Sequence, residues 1–191
     1  MNLPNALTVG RIFLIPLLVV VLLTKFEGRM ILGFPKDLVG AAIFGIAALT
    51  DVLDGYLARR RKQITIIGQL MDPAADKLLI AAALLSLIQM DVAPAWIVWI
   101  ILGREFAVTV LRSIAYAKGV VITASPVGKI KMFAEVLAVL LLILGHEELQ
   151  RVFLLGTIAL WIAMLTAVVS GVEYYRRFNH ILTSPKGVVT P

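Results

Sequence analysis

The sequence predicts an all-α, polytopic membrane protein with six transmembrane helices and a short N-terminal interfacial segment. Of its 191 residues, 60% are hydrophobic and 16% are charged, whereas a soluble domain usually carries about 25% charged residues. The mean hydropathy is +0.96, which is that of an apolar chain. Because one span needs roughly 20 residues, the chain has room for six spans and for no separate soluble domain. We expect residues 1–191 to form a single integral-membrane domain.

Six apolar runs define the helices in order. They lie at residues 7–24, 37–58, 70–90, 92–117, 130–146 and 150–175. The last run is the clearest span, because residues 152–172 carry no charge. The uncharged stretches of the second and third runs, at 38–50 and 78–90, have only 13 residues each. Since such a stretch covers roughly 20 Å of a hydrocarbon layer about 30 Å thick, each helix must bring its acidic end into the membrane, inside a polar cavity.

Four carboxylates lie where the second predicted helix ends and the third begins. At about 100° per residue, Asp51 and Asp54 share one helix face, and Asp72 and Asp76 share a face of the next helix. Two neighbouring helices would aim all four at one point, where they repel one another unless cations lie between them. Hard divalent ions such as Mg²⁺ prefer these oxygen ligands. With Arg59 one turn beyond the second acid, the pattern predicts a metal-dependent phosphate site.

Basic residues outnumber acidic ones and give the chain a net charge of +6. Anionic lipid headgroups and a phosphorylated substrate are the expected partners of this charge, and nucleic acid is not. Basic residues follow the second and last runs and flank the fourth loop, whereas Lys25, Arg29 and Lys36 oppose this trend. The positive-inside rule then places both termini and the acidic site at the cytoplasmic face of the cell membrane. Because no basic region precedes the first apolar run, we expect the N-terminus to be retained.

The acidic motif resembles the signature of the CDP-alcohol phosphotransferase family. The pattern is D-x-x-D-G-x-x-A-R, then eight residues, then G-x-x-x-D-x-x-x-D. Its fixed positions are all present, namely Asp51, Asp54, Gly55, Ala58, Arg59, Gly68, Asp72 and Asp76. Eight fixed positions within 26 residues make the motif highly specific. The bacterial phosphatidylglycerophosphate synthases, a branch of this family, have segments that look like residues 5–11, 103–106 and 128–131.

The resemblance implies a six-helix membrane fold, usually a homodimer, that transfers a phosphatidyl group from CDP-diacylglycerol to an alcohol and releases CMP. It implies that Asp51, Asp54 and Asp72 hold metal and that Asp76 completes a second site, with two Mg²⁺ ions, or Mn²⁺, neutralising the diphosphate. Asp76 is also the expected general base for the acceptor hydroxyl. The residues expected to contact CDP-diacylglycerol are Asp54, Gly55, Ala58, Arg59, Gly68, Asn5 and Thr8. Asn5 and Thr8, with Arg11, alternatively cap an interfacial N-terminal helix.

The bacterial branch implies glycerol 3-phosphate as the acceptor, a dianion that needs several cations. The candidate ligands of its phosphate are Arg104, Arg112, Lys129 and Lys131. Arg104 lies inside an apolar run, and Arg112 follows two turns later on a nearby helix face. The sequence is equally consistent with structural roles for these cations. In that case Arg104 pairs with Glu105 or Glu135, and the lysines extend to the membrane interface.

The sequence also leaves open other acceptor alcohols and other classes of membrane protein. Within the same chemistry, the acceptor is alternatively inositol phosphate, serine or phosphatidylglycerol. Intramembrane prenyltransferases bind Mg²⁺ through two separated acidic motifs in a longer bundle, whereas these acids lie within 26 residues. A cation transporter with an acidic midplane site leaves Arg59 unexplained, because a fixed cation repels the transported ion.

Overall fold

The computed structural model is all-α apart from one short hairpin. It describes residues 3–24, 30–31, 33–61, 66–120, 126–146 and 149–183, and side chains at 8–24, 30–31, 33–50, 73–120, 127–146 and 149–180. The helices of this part are α1 Leu3–Leu23, α2 Lys36–Arg61, α3 Ile66–Gln89, α4 Ala95–Ala117, α5 Pro126–Gly145 and α6 Gln150–Thr183. These six helices match the six apolar runs in order and confirm the all-α class.

A hairpin that was not predicted from the sequence joins the first two helices. Its strands are β1 Met30–Ile31 and β2 Phe34–Pro35, which pair antiparallel. Gly33 lies in the turn at a φ of +85°, where a side chain would be strained. The hairpin lies directly before α2, which begins at Lys36.

Helices α5 and α6 pack against each other at close range. A Cβ atom placed on Gly156 of α6 would lie 2.8 Å from the backbone N of Leu142 and 3.0 Å from the backbone C of Leu141. Only glycine permits this approach of two helix backbones. Helix α1 packs on α2 and α3, and α4 packs on α6. The apolar core between these pairs includes Phe44 and Leu84, which are fully buried.

Large apolar side chains also cover the outer surface. Trp99, Phe106 and Phe133 are 74%, 74% and 70% exposed, respectively. Large apolar side chains exposed on several helices indicate a contact with lipid or protein rather than with water. By length and apolarity, one helix in the described part is able to cross a membrane, Gln150–His180, with a mean hydropathy of 2.5. The described part of α1, Thr8–Leu23, is also apolar but is shorter than a span.

The predicted N-terminal interfacial segment falls at the beginning of a long helix. Helix α1 is continuous from Leu3 to Leu23, and the described residues include no separate segment ahead of it. Thr8 and Arg11 are each only 1% exposed, so this part of α1 lies inside the bundle. Because the side chains of residues 3–7 lie outside those described, the interfacial N-terminal segment stays a prediction.

Candidate active site

A cavity of about 540 Å³ opens between α3, α4 and α5. Apolar side chains such as Leu102 and Met132 form part of its wall. Charged side chains also line it, namely Asp76, Lys77, Arg104, Glu105, Arg112, Lys131 and Glu135. Among these described residues four are cations and three are carboxylates, so the cavity has an excess of positive charge. A cavity with this lining suits an anionic ligand.

Asp76, the last acid of the motif, lies at the edge of this cavity. Its carboxylate is 32% exposed and accepts a hydrogen bond from Arg11 Nη1 of α1, whose side chain is fully buried. The sequence predicted that Arg11 lies at a helix cap or at the nucleotide. The structure places it against Asp76, 65 residues further along the chain. Arg11 therefore fixes the direction of this carboxylate.

The other predicted residues of the acidic motif lie on the adjoining helix ends. They occupy the last part of α2 and the first part of α3, which pack on each other and are separated by residues 62–65. The following side chains lie outside those described: Asn5, Asp51, Asp54, Gly55, Ala58, Arg59, Gly68 and Asp72. The backbone places Asp72 one helical turn before Asp76. That the four acids converge on one point stays a prediction, because Asp76 is the one acid of the four whose side chain is described.

Glu105 joins two of the predicted cations. Arg104 Nη1 and Lys131 Nζ both donate to Glu105 Oε1, each at 2.5 Å. Arg104 Nη2 also donates to Ser170 Oγ of α6, at 2.8 Å. The Lys131 Nζ and Glu135 Oε1 atoms are 2.7 Å apart, an ion pair without hydrogen-bond geometry. Of the two glutamates that the sequence offered as partners of Arg104, the structure therefore pairs it with Glu105.

Helix α6 packs against the Arg104 side chain. A Cβ atom on Gly171 would lie 3.2 Å from Arg104 Cγ, so a small residue at this position gives the arginine room. Ser170, beside it, is 1% exposed and supplies the hydroxyl that Arg104 contacts. Helix α6 therefore holds Arg104 through the Ser170 hydroxyl and leaves space for it at Gly171.

Two further cations face the cavity from α3 and α4. Arg112 lies over the Tyr174 ring of α6, 5.8 Å from the ring centre, which is a cation–π contact. Lys77 Nζ donates to Thr109 Oγ1 at 2.5 Å. Within the described part, Lys77 and Arg112 form no ion pair. Lys77 was not predicted from the sequence, although its place directly after Asp76 was a usable signal.

Lys129 is the one predicted phosphate ligand that the structure does not bring to the cavity. It is exposed, and it is absent from the residues that line the wall. Residues two positions apart on a helix point about 200° apart. Since Lys131 faces inward, Lys129 must face outward.

Comparison with known proteins adds to this geometry. A model of the CDP-alcohol phosphatidyltransferase family matches residues 1–169. The chain belongs to this family. Members of the family generally depend on a divalent metal ion, and carboxylates at the α2–α3 junction offer the oxygen ligands that such an ion requires.

Several bacterial relatives cover nearly the whole chain. A CDP-diacylglycerol–glycerol-3-phosphate 3-phosphatidyltransferase of Bacillus subtilis (strain 168) is 44% identical over 182 residues, 92% of this chain and 94% of the relative. One of Rickettsia felis is 35% identical over 177 residues, with 92% and 94% covered. A probable phosphatidylglycerophosphate synthase of Mycobacterium tuberculosis (strain ATCC 25618 / H37Rv) is 38% identical over 176 residues, with 92% and 81% covered. The family assignment thus rests on nearly the whole chain.

Proposed function

We propose that this protein transfers the phosphatidyl group of CDP-diacylglycerol to sn-glycerol 3-phosphate, giving phosphatidylglycerophosphate and CMP. The names of the relatives describe this reaction. The observation that carries the proposal is the cavity in which Asp76 of the family motif meets a cluster of cations. A phosphorylated alcohol fits such a cavity, with its phosphate among the cations and its hydroxyl near Asp76.

The reaction requires one bond to form and one to break at phosphorus. The acceptor hydroxyl oxygen attacks the phosphorus that carries the diacylglycerol. The bond from this phosphorus to the bridging oxygen breaks, and CMP leaves with the electron pair. The hydroxyl proton goes to a base, and Asp76 is the base that we assign, because it lies at the cavity edge and is oriented by Arg11. Positioning and charge neutralisation supply most of the catalysis in reactions of this type.

Asp51, Asp54, Asp72 and Asp76 are the residues that would hold the divalent metal. Their carboxylates are the oxygen donors that Mg²⁺ prefers, and Mn²⁺ accepts the same ligands. We assign two Mg²⁺ ions to them. When bound, the ions neutralise the diphosphate of the lipid substrate.

The nucleotide end of CDP-diacylglycerol is assigned to the same junction. Arg59 supplies a cation for the diphosphate, and small residues let the nucleotide approach the helix backbones. The complete proposed set is Asn5, Thr8, Asp54, Gly55, Ala58, Arg59 and Gly68. Thr8 lies buried on the inner face of α1, which supports its place in the set.

The acceptor phosphate is assigned to Arg104, Arg112 and Lys131, with Lys77 added. All four line the cavity, and Lys129 does not. Because Arg104 and Lys131 already pair with glutamates, a neutral alcohol such as glycerol would not leave them unpaired. Glycerol is expected to be a poor acceptor for another reason. It has no phosphate to bind the cations.

The protein is a membrane protein, and we assign it six spans with the active site facing the cytoplasm. The exposed aromatic side chains on α4 and α5 support lipid contact beyond α6 alone. Arg60 and Arg61 end α2, and Arg176 and Arg177 lie in the last turns of α6, so basic residues collect at the end that holds the motif. The positive-inside rule supports this orientation. A homodimer is proposed from the family resemblance.

One assay tests the proposal. Purified protein is incubated with CDP-diacylglycerol and Mg²⁺ and offered glycerol 3-phosphate, glycerol, serine, inositol phosphate or phosphatidylglycerol, and CMP release is measured. We expect glycerol 3-phosphate to support turnover far above the others, and we expect chelation of the metal to stop it. Equal use of serine or glycerol would exclude the glycerol-phosphate assignment.

A further inference from the structure

A single carboxylate oxygen occupies the point where two cations of the cavity converge. Glu105 Oε1 is 2.5 Å from Arg104 Nη1 and 2.5 Å from Lys131 Nζ. Two charged donors that meet at one anionic oxygen form the arrangement that binds a phosphate oxygen. Glu105 therefore holds the position that an acceptor phosphate needs.

Each of the two cations has a second anchor that does not involve Glu105. Arg104 is held through Nη2 by Ser170 of α6, at 2.8 Å. Lys131 is paired with Glu135, one turn further along α5, at 2.7 Å. If the Glu105 carboxylate turned away, both donors would remain aimed at the position that it had left.

The two glutamates differ in their freedom to move. The Glu135 side chain is 3% exposed, whereas that of Glu105 is 24% exposed. Because the Glu135 carboxylate is almost fully enclosed, water could not solvate its charge if it moved away from Lys131. Glu105 faces the open cavity, where water can solvate it. Glu135 is thus a fixed counter-ion, and Glu105 is an exchangeable one.

We propose that Glu105 determines acceptor specificity by occupying the acceptor-phosphate position and exchanging with the phosphate when the acceptor binds. The inference rests on the proposed function and adds a residue to it. A phosphate dianion interacts with the cation pair more strongly than the single charge that it replaces. A neutral alcohol makes no such exchange, so Glu105 keeps the site closed to it.

The substitution Glu105→Gln tests this exchange. It removes the competing charge and nearly preserves side-chain shape. We expect the KM for glycerol 3-phosphate to fall about fivefold to tenfold, because the phosphate no longer displaces a charged group. Inhibition by inorganic phosphate should strengthen by a similar factor. The kcat and the KM for CDP-diacylglycerol should not change.

Two matched variants control for charge. Glu135→Gln removes the same charge beside the same lysine and is expected not to lower the KM for glycerol 3-phosphate. Glu173→Gln breaks an ion pair with Arg177 on the α6 surface, outside the cavity, and should leave every parameter unchanged. Equal decreases in KM for Glu105→Gln and Glu135→Gln would overturn the proposal, because a general change in potential would account for them. An increase in KM for Glu105→Gln would also overturn it, since Glu105 would then orient the cations.

A second variant keeps the test informative if Glu105→Gln does not fold. Glu105→Asp retains the charge but shortens the side chain, so that the carboxylate no longer reaches both cations. A KM lowered in the same direction supports the exchange, and an unchanged KM contradicts it. Failure of the proposed function is separable, because it appears as use of another alcohol by the wild type. Inorganic phosphate still reports on the cation pair in that case.

Discussion

The two ends of the helix bundle bury their side chains by different means. At the motif end, the buried side chains include the charged groups Arg11, Lys131 and Glu135, each at most 4% exposed and each in an ion pair. At the far end, where α1, α3 and α5 finish, they are mainly apolar, as with Leu22 and Ile143, which are at most 1% exposed, and Asp37 at 7% is a charged exception. Removing one partner of a buried ion pair leaves a charge uncompensated, whereas apolar packing responds to volume. Changes at the motif end, which holds the candidate site, should therefore alter function as well as stability, and changes at the far end should alter mainly stability.

The largest effect is expected for the acids at the motif end. Asp51→Asn or Asp72→Asn should reduce CMP release to below a tenth of the wild-type rate, because each removes a carboxylate proposed to hold metal. Asp91→Asn is the matched control, since Asp91 is exposed at the far end with a φ of 59°, a conformation that asparagine adopts readily. Its activity should equal that of the wild type. Retention of a tenth or more of turnover by either folded motif variant would contradict the metal assignment.

A second substitution separates catalysis from binding at the cavity edge. Asp76→Asn should lower kcat more than the affinity for CDP, because a general base acts on the acceptor hydroxyl during transfer. Titration of CDP against the variant in Mg²⁺ measures the binding part. If CDP affinity and metal dependence fall together with turnover, Asp76 is chiefly a metal ligand and the base must be sought elsewhere.

A stability effect should dominate where the α5 and α6 backbones approach each other. Gly156→Ala places a methyl group 2.8 Å from a backbone atom of α5, and such overpacking typically costs about 1–3 kcal/mol. Gly45→Ala is the control, since its added Cβ meets Leu140 Cδ2 at an ordinary 3.7 Å. Thermal unfolding in detergent should show a lower Tm for the first variant only. A similar loss of Tm in both would mean that backbone proximity is not the cause.

The smallest effect is expected for the lysine that faces outward. Lys129→Gln should leave the KM for glycerol 3-phosphate within about twofold of the wild-type value, as exposed charges contribute little. The KM of Lys131→Gln, measured in the same assay, is the value with which the KM of Lys129→Gln is compared. A tenfold increase for Lys129→Gln would show that the cavity extends further than its described lining.

Much of the fold followed from hydrophobic runs. The run at residues 37–58 corresponds to α2 Lys36–Arg61, and that at 92–117 to α4 Ala95–Ala117. Helix α6 continues to Thr183, beyond its apolar run, and Phe178 in this extension is buried in a cluster with Val108 and Ala115 of α4. The hairpin at Met30–Pro35 was missed, since strands of two residues leave no periodic pattern.

In the candidate site, too, the sequence predicted the arrangement within one helix but not the contacts between helices. Spacing along one helix was enough to place Asp72 with Asp76 and Arg104 near Arg112. Contacts between helices were not predictable, since Arg11 meets Asp76 across 65 positions and Lys131 meets Glu105 across 26. Such partners depend on how the helices pack, and the periodicity of residues along one helix gives no information about that packing. For the same reason, sequence alone did not decide whether Arg104 pairs within the protein.

The most direct test is the KM for glycerol 3-phosphate in Arg104→Gln and Lys131→Gln. A charge-assisted hydrogen bond contributes roughly 1.5–3 kcal/mol, and 1.4 kcal/mol corresponds to about a tenfold change. Because both cations already pair with Glu105 before the acceptor binds, we expect the lower end, an increase of about tenfold. The KM for CDP-diacylglycerol should stay the same. Values for glycerol 3-phosphate within about twofold of wild type in both variants would contradict the claim that this cavity binds the acceptor phosphate.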